Sequence, residues 1–345
     1  MRFIITVLLG LAGGALFTYF NTPIPWMLGP LTAVMLIQSL TPFQVIWPLK
    51  LKNIGLIVLG MSFGLYFTVE TMTSIGPYLL PYLLFTVLII LLSVVQSLSV
   101  TKWIDVDRVS SVFGSIPGGL TEMVIASESL NGNTAHVMVF QTIRLLLVLF
   151  AVPFVIMQIF DGSQNGAAIT VAENNIPFIS WSILWFLLPF LAGWRYYYLL
   201  PAGWIVLPML VTAGLNMSPA ALPSIPDGLF LAAQAAVGLS LGKQIFLQDI
   251  KNAGRYGLIY GGLAVILIVI SLLLGWLLAV WTGMDTATAL LSTAPGGLVE
   301  MVLTATMVGA DPAIVTSMQL LRILLIIIFV PAGLGWYFRR TASTE

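Results

Sequence analysis

Long apolar stretches, separated by short segments rich in Pro, Gly, Asn and charged residues, occupy almost the whole chain. Six precede a polar gap at 161–175 and six follow it. They lie near residues 3–20, 24–40, 51–68, 74–100, 107–130, 133–160, 178–199, 202–216, 227–248, 253–281, 285–308 and 312–338. Several exceed the ~20 residues that an α-helix needs to cross a bilayer. The pattern therefore predicts an all-α polytopic membrane protein.

The second half of the chain repeats the first at a constant offset of 178 residues. The sequence PGGLTEMV at 117–124 is matched by PGGLVEMV at 295–302, and 15 of 37 positions are identical between 117–153 and 295–331. The matched residues include Pro, Gly, Glu, Gln and Arg, which a shared apolar composition would not produce. The chain is therefore divided into membrane repeat 1 (1–160), a linker (161–177) and membrane repeat 2 (178–345).

The basic residues of the loops indicate that the two repeats are inverted. Lys50, Lys52, Lys102 and Arg108 have uncharged counterparts in the second repeat, which instead carries bases at other loops, such as Lys251. Because Lys and Arg concentrate in cytoplasmic loops, both sets face the cytoplasm only if the repeats insert with opposite orientation. Each repeat must then cross the inner or plasma membrane an odd number of times, with an extracytoplasmic linker and both termini cytoplasmic.

Each repeat has six apolar stretches but must cross the membrane an odd number of times, so one stretch must enter and leave on the same side. The Pro-Gly-Gly segment is the best candidate. Its proline cannot continue an upstream helix, and its glycines permit a tight turn. We therefore predict about ten transmembrane helices plus two re-entrant hairpins. Two alternatives stay open: the short Pro-rich stretch at 24–40 and its counterpart are re-entrant instead, or Pro-Gly-Gly only kinks a spanning helix.

Each repeat also places an arginine about a dozen residues inside an apolar helix, one turn after a glutamine: Gln141 and Arg144, then Gln319 and Arg322. An arginine at such a depth costs roughly 2.5–3.5 kcal/mol on insertion scales, so each needs a partner. The candidate carboxylate partners are Glu122 and Glu300, which belong to the preceding Pro-Gly-Gly motifs. Either a structural Glu–Arg pair holds each hairpin to the next helix, or these groups bind a substrate or a coupling cation.

Composition excludes several classes of function. Apolar residues make up 59% of the chain and charged residues 8%, the net charge is zero, and there is one His and no Cys. Zero net charge argues against a nucleic-acid partner, and the lack of soft ligands argues against a metal site or a cofactor. No phosphate-binding loop or catalytic triad is present, so the sequence predicts no enzyme.

The doubled PGGLTEM and PGGLVEM motifs, the Gln-x-x-Arg after each and PWMLGP near the start resemble the AbrB-type membrane protein family. The resemblance spans essentially the whole chain. Members carry labels such as ammonia monooxygenase, transition-state regulator and, more recently, AbrB family transporter. The single His disfavours a copper enzyme, and the lack of a basic soluble domain disfavours a DNA-binding regulator.

These observations predict a secondary active transporter for a small organic anion or an amino-acid-like solute, coupled to protons or sodium. A passive channel and an indirect regulatory role are the alternatives. Besides the lipid bilayer, a solute and a coupling cation, a second copy in a homodimer is an expected partner. The predicted substrate-binding residues are Pro117, Gly118, Gly119, Thr121, Glu122, Gln141, Arg144, Pro295, Gly296, Gly297, Glu300, Gln319 and Arg322.

Overall fold

A computed structural model describes residues 2–160, 181–218 and 222–342, and within these ranges all regular structure is helical. The first repeat supplies α1 (Arg2–Tyr19), α2 (Pro25–Leu40), α3 (Leu49–Gly64), α4 (Val69–Val100), α5 (Arg108–Ser115), α6 (Leu120–Glu128) and α7 (Thr134–Phe160). The second supplies α8 (Leu187–Tyr196), α9 (Gly203–Asn216), α10 (Asp227–Gln244), α11 (Leu247–Asn252), α12 (Gly254–Thr282), α13 (Thr286–Thr293), α14 (Leu298–Val308) and α15 (Pro312–Ala342). The predicted linker, 161–177, lies outside the described residues.

Five of these helices are long and apolar enough to cross a membrane, namely α1, α4, α7, α12 and α15. Further apolar helices are shorter, among them α2 with 16 residues and α9 with 14. The prediction of an all-α, multi-pass membrane protein is confirmed, and the exact number of crossings stays a prediction.

The described helices form two compact units, and each unit draws on both repeats. The first unit contains α1–α3 and α8–α10, whereas the second contains α5, α6, α12 and α13 together with most of α4, α7 and α15. The repeats that the sequence defines are therefore interleaved in space. Neither compact unit consists of one repeat alone.

Close backbone contacts hold the first unit together at four glycines, Gly60, Gly64, Gly238 and Gly242. A Cβ atom at Gly60 of α3 would overlap the carbonyl oxygen of Ile205 in α9, and one at Gly238 of α10 would overlap that of Met27 in α2. The two contacts are related by the offset of 178. Each glycine pair has the Gly-x-x-x-Gly spacing that lets helices in lipid approach closely and gain van der Waals packing.

The C-terminal ends of α3 and α10 are each capped by a side-chain amide from a neighbouring helix. The Gln38 amide donates at 3.0–3.1 Å to three carbonyl oxygens at the end of α10, those of Gly242, Lys243 and Ile245. The Asn216 amide donates at 3.0 Å to those of Leu65 and Phe67, beyond the end of α3. These bonds satisfy carbonyls that have no partner within their own helix.

Two further contacts show the relative direction of α3 and α10. Lys243, near the end of α10, donates from Nζ to the carbonyl oxygen of Trp47 at 3.3 Å, just before α3 begins. Gly55, in the middle of α3, packs against Ala233 and Ala236 near the middle of α10. The two helices, which occupy equivalent places in the repeats, therefore run in opposite directions.

The second unit is built around a buried apolar cluster that joins the repeats. Phe113 and Ile116 pack in one core with Met123 of α6 and with Ile326 and Val330 of α15. The segment between α5 and α6, which carries the first Pro-Gly-Gly, is thereby packed against a helix of the second repeat.

We predict that Gly60→Ala lowers the stability of the purified protein by about 1–3 kcal/mol, because the added methyl group must displace backbone. Thermal melting in detergent measures the change, and Gly238→Ala should behave alike. Gly214→Ala in α9 is the matched control, since a Cβ there meets nothing within 4 Å. Equal melting temperatures for Gly60→Ala and Gly214→Ala would contradict the glycine contacts.

Candidate functional site

Both Pro-Gly-Gly segments break a helix at equivalent positions. After α5 the backbone of Ile116 is extended, with φ −66° and ψ 135°, and after α13 that of Ala294 is extended, with φ −55° and ψ 135°. A residue before proline favours this conformation because the proline ring clashes with a helical backbone. Pro117 and Pro295 thus end the first arm of each segment, as predicted.

The first arms also begin in the same way. The Asp107 carboxylate accepts a bond from the backbone N–H of Ser110 at 2.7 Å, and the Asp285 carboxylate accepts one from that of Thr288 at 2.9 Å. Each aspartate therefore caps the N-terminus of an eight-residue helix, and such a bond typically contributes ~1 kcal/mol.

In the first repeat, Gln141 and Arg144 of α7 hold the broken end of α5. The Gln141 amide donates to the carbonyl oxygens of Phe113 at 2.6 Å and Ile116 at 3.0 Å. The Arg144 guanidinium donates to the carbonyl oxygen of Ile116 and, at 2.9 Å, to that of Gly118. We call this pair of side chains, with its counterpart in the second repeat, the Gln–Arg clamp.

The second clamp repeats these bonds at an offset of 178. The Gln319 amide donates to the carbonyl oxygens of Leu291 at 2.7 Å and Ala294 at 3.4 Å. Arg322 donates to those of Ala294 and Gly296, and also to the side-chain oxygen of Gln319. The last carbonyls of a helix have no partner inside it, and leaving one buried and unpaired costs about 1–3 kcal/mol. The clamps therefore stabilise the breaks themselves.

The two glycines of each motif are explained by the residues that follow them. A Cβ at Gly118 would lie 2.8 Å from the Met123 side chain, and one at Gly119 would overlap the Glu122 carboxylate. The second repeat shows the same contacts, from Gly296 to Met301 and from Gly297 to Glu300. A carboxylate that folds back over the start of its helix interacts favourably with the helix dipole. The whole Pro-Gly-Gly-Leu-x-Glu-Met pattern is thus one local structure.

The environment of the glutamates differs between the repeats. Glu122 and Gly119 are exposed, whereas Glu300 is only 6% exposed and Gly297 is half-buried. Glu300 interacts electrostatically with Arg322. Among the described residues, the guanidinium of Arg144 donates hydrogen bonds only to backbone carbonyls. Within the described part of the chain, a Glu–Arg interaction is therefore found in the second repeat and not in the first. The side chain of Thr121 lies outside what the structure describes.

The chain that leaves α6 lies beside the start of α5. The backbone N–H of Asn133 donates to the Ser110 hydroxyl at 2.6 Å, and that hydroxyl lies 3.2 Å from the Asn133 carbonyl oxygen. A Cβ at Gly132 would lie 2.9 Å from the Val109 side chain. The two ends of the segment 107–133 are therefore adjacent.

Two buried cations share the second unit. Arg144 is 7% exposed and Arg322 is 3% exposed, and the charge of Arg322 acts on Arg144. Both Nε atoms are buried without a hydrogen-bond partner among the described residues. Two like charges in a medium of low dielectric repel each other more strongly than in water. Burial of the two charges is therefore an electrostatic cost, which Glu300 offsets in part at Arg322.

A matched pair of tyrosines, absent from the predicted site, borders the two clamps. The Tyr82 hydroxyl donates to the carbonyl oxygen of Ser292 at 3.2 Å, and the Tyr260 hydroxyl donates to the side-chain hydroxyl of Ser111 at 2.6 Å. Tyr82 also lies within electrostatic range of Arg322. The two tyrosines are 178 residues apart, so the repeat offset was a signal that could have found them.

The space beside Arg144 is small. A cavity of about 10 Å³ is lined by Gln96, Arg144, Phe140 and Tyr260. Such a volume holds a single water molecule. In the part of the chain that the structure describes, no group of three or more His, Cys, Asp or Glu side chains lies close enough to hold a metal ion.

The apolar helices and the matched broken segments define the class as a multi-pass helical membrane protein with buried polar groups at two helix breaks. Residues 3–338 match the family described as "Transition state regulatory protein AbrB", and the chain belongs to this AbrB family. "Uncharacterized protein YhjN" of Bacillus subtilis (strain 168) is 25% identical over 341 residues, covering 93% of this chain and 89% of its own length. "Putative regulator AbrB" of Escherichia coli (strain K12) is 30% identical over 263 residues, covering 71% of this chain and 72% of its own length. The family resemblance inferred from the motifs is confirmed.

We predict that Gln141→Leu lowers the stability by about 1–3 kcal/mol, because the buried carbonyl oxygen of Phe113 loses its partner. Gln319→Leu should act alike in the second clamp. Thermal melting of the purified protein measures both. Gln248→Leu, at an exposed position of α11, is the control, and a melting temperature for Gln141→Leu equal to that control would show that the clamp is dispensable.

Proposed function

We propose that the protein is a secondary active transporter of a small organic anion or an amino-acid-like solute, driven by a proton or sodium gradient. The observation that carries the proposal is the pair of helix breaks, each held by a buried Gln–Arg clamp, with both breaks and both clamps in the second compact unit. In membranes, irregular backbone persists where it is buried in protein or lines a water-filled cavity. Discontinuous helices of this kind form the binding sites of secondary transporters.

Re-entrant hairpins and inverted repeats are parts of this proposal. The contact between Asn133 and Ser110 supports a first hairpin that enters and leaves the membrane by one side. The opposite directions of α3 and α10 support an inverted relation between the repeats, with both termini cytoplasmic. The hairpins would then enter from the two faces of the inner or plasma membrane.

An anion is favoured by the charges around the first hairpin. The first N–H groups of α6 have no acceptor inside the helix, and this end of the helix carries partial positive charge. Arg144 adds a full charge behind Gly118, and its repulsion with Arg322 is relieved when a negative group binds. The exposed Gly119 and Glu122 leave this turn accessible to a solute, and the carboxylate of Glu122 suits the amine of an amino-acid-like one.

The second hairpin is proposed to serve coupling. Its carboxylate, Glu300, is buried beside Arg322, so its charge state is sensitive to a nearby cation or anion. Protons or sodium ions would enter here. We propose no catalytic activity, and we expect a homodimer in the membrane.

Movement is needed because the space beside Arg144 holds only one water molecule. An organic solute therefore reaches the clamp only when elements of the unit separate. Alternating access requires such a change, with one element of the repeats moving against the rest. A passive channel would instead conduct without a driving gradient.

We predict that Arg144→Gln reduces solute uptake at least about tenfold, because the anion loses a buried charge worth roughly 1.4 kcal/mol or more. Uptake of labelled carboxylates and amino acids into proteoliposomes, under imposed pH and sodium gradients, measures the effect. A thermal-shift screen of the same solutes, at two pH values with and without sodium, selects the panel.

Arg195→Gln is the matched control for charge removal, since Arg195 is exposed on α8. Because Arg144 also supports the fold, Gly119→Ala provides an independent variant that displaces only the flexible Glu122 side chain. Normal uptake of every solute by both Arg144→Gln and Gly119→Ala would refute the site. Flux that does not depend on the imposed pH and sodium gradients would identify a channel, and absence of any flux would favour a regulatory role.

We predict that Cys introduced at Thr41, Lys102 and Ser129 reacts with an impermeant maleimide from the cytoplasmic side, and Cys at Ser218 from the opposite side. The chain has no native Cys, so each label reports one position. Lys102 and Ser129 test the hairpin, because they share a side only if 107–130 does not cross. Labelling of Lys102 and Ser129 from different sides would replace the hairpin by a kinked spanning helix.

A further inference from the structure

A cavity of about 550 Å³ lies at one end of the first unit, away from the clamps along the chain. It is formed where α1 begins, where α2 and α10 end, and where the loop 41–48 leads into α3. Its lining includes Arg2, Gln38, Phe43, Ile46, Lys243 and Phe246. The cavity is large enough for a phosphate group with attached glycerol.

The polar part of the cavity is cationic. Arg2 and Lys243 both line it with exposed side chains, and the Nζ atom of Lys243 uses one of its three hydrogens on the carbonyl oxygen of Trp47. Among the described residues that line the cavity, there is no Asp or Glu. The local charge is therefore uncompensated by acidic side chains of the lining, although the chain as a whole is neutral.

The rim of the cavity is apolar and aromatic. Ile46 is 46% exposed and Phe246 is 45% exposed, and both belong to the lining. Phe3, one residue from Arg2, stacks on Trp47 with ring centroids 5.7 Å apart. Exposed aromatic side chains next to bases are typical of the membrane–water interface. A ligand with a phosphate at one end and acyl chains at the other matches both parts.

We propose that this cavity binds the phosphate headgroup of an anionic phospholipid such as phosphatidylglycerol. Basic pockets between helices at the cytoplasmic surface of membrane proteins bind such headgroups. Arg2 and Lys243 hold the phosphate, and the acyl chains extend past Ile46 and Phe246. The bound lipid joins α1 to α10 and so links the two repeats within the first unit. This site is separate from the proposed transport site.

The test is lipid binding to the purified full-length protein. Native mass spectrometry and thermal-shift titration compare phosphatidylglycerol with the zwitterionic phosphatidylcholine, and glycerol 3-phosphate and inorganic phosphate serve as soluble probes. Phosphatidylglycerol should raise the melting temperature and remain bound, whereas phosphatidylcholine should not. Each lost base should weaken the apparent affinity about fivefold, and Arg2→Gln with Lys243→Gln together about 25-fold.

The matched control combines Lys102→Gln and Arg195→Gln, which remove two exposed bases outside the cavity and should leave lipid binding unchanged. Equal loss of binding in this control would show a general surface charge effect and overturn the proposal. Unchanged binding in the Arg2→Gln, Lys243→Gln variant would also overturn it. Stabilisation by the soluble phosphates to the same extent as by the lipid would assign the cavity to a free anion instead.

Discussion

The structure depends on hydrogen bonds to the carbonyl groups that have no partner where a helix is broken inside a membrane protein. Each break leaves several buried or partly buried carbonyls without a partner in their own helix, and a buried one would cost about 1–3 kcal/mol if unpaired. One glutamine and one arginine from the following long helix satisfy them in both repeats. The arginine charge, which is costly in lipid, is thereby stabilised by carbonyl dipoles, and in the second repeat the Glu300 carboxylate also interacts with Arg322.

The two Pro-Gly-Gly segments have matching motifs but different environments. Glu122 and Glu300 belong to the same motif and contact their glycines in the same way, yet one is exposed and the other buried. An exact two-fold arrangement would give both carboxylates the same exposure. The difference allows one copy to face a solute while the other responds to an ion, which is the division that the proposed transport cycle uses.

Much of the helical architecture was predictable, because proline, glycine and arginine are costly in an apolar chain and their recurrence at one offset is informative. The breaks at Pro117 and Pro295 and the pairing of each Gln with its Arg followed from that. The partners of Arg144 could not be predicted in this way, because every residue has a backbone carbonyl and the sequence does not show which of them an arginine contacts. The caps by Gln38 and Asn216 and the tyrosines Tyr82 and Tyr260 were missed, although each pair is 178 residues apart.

The interleaving of the repeats has a consequence for biosynthesis. Helices α1–α3 leave the ribosome well before α9 and α10, yet Gly60 and Gly64 of α3 pack against the backbone of α9. Until those later helices are inserted, the glycine faces must be covered by lipid or by an insertion factor. The first half of the chain therefore completes its packing only after the second half has been inserted.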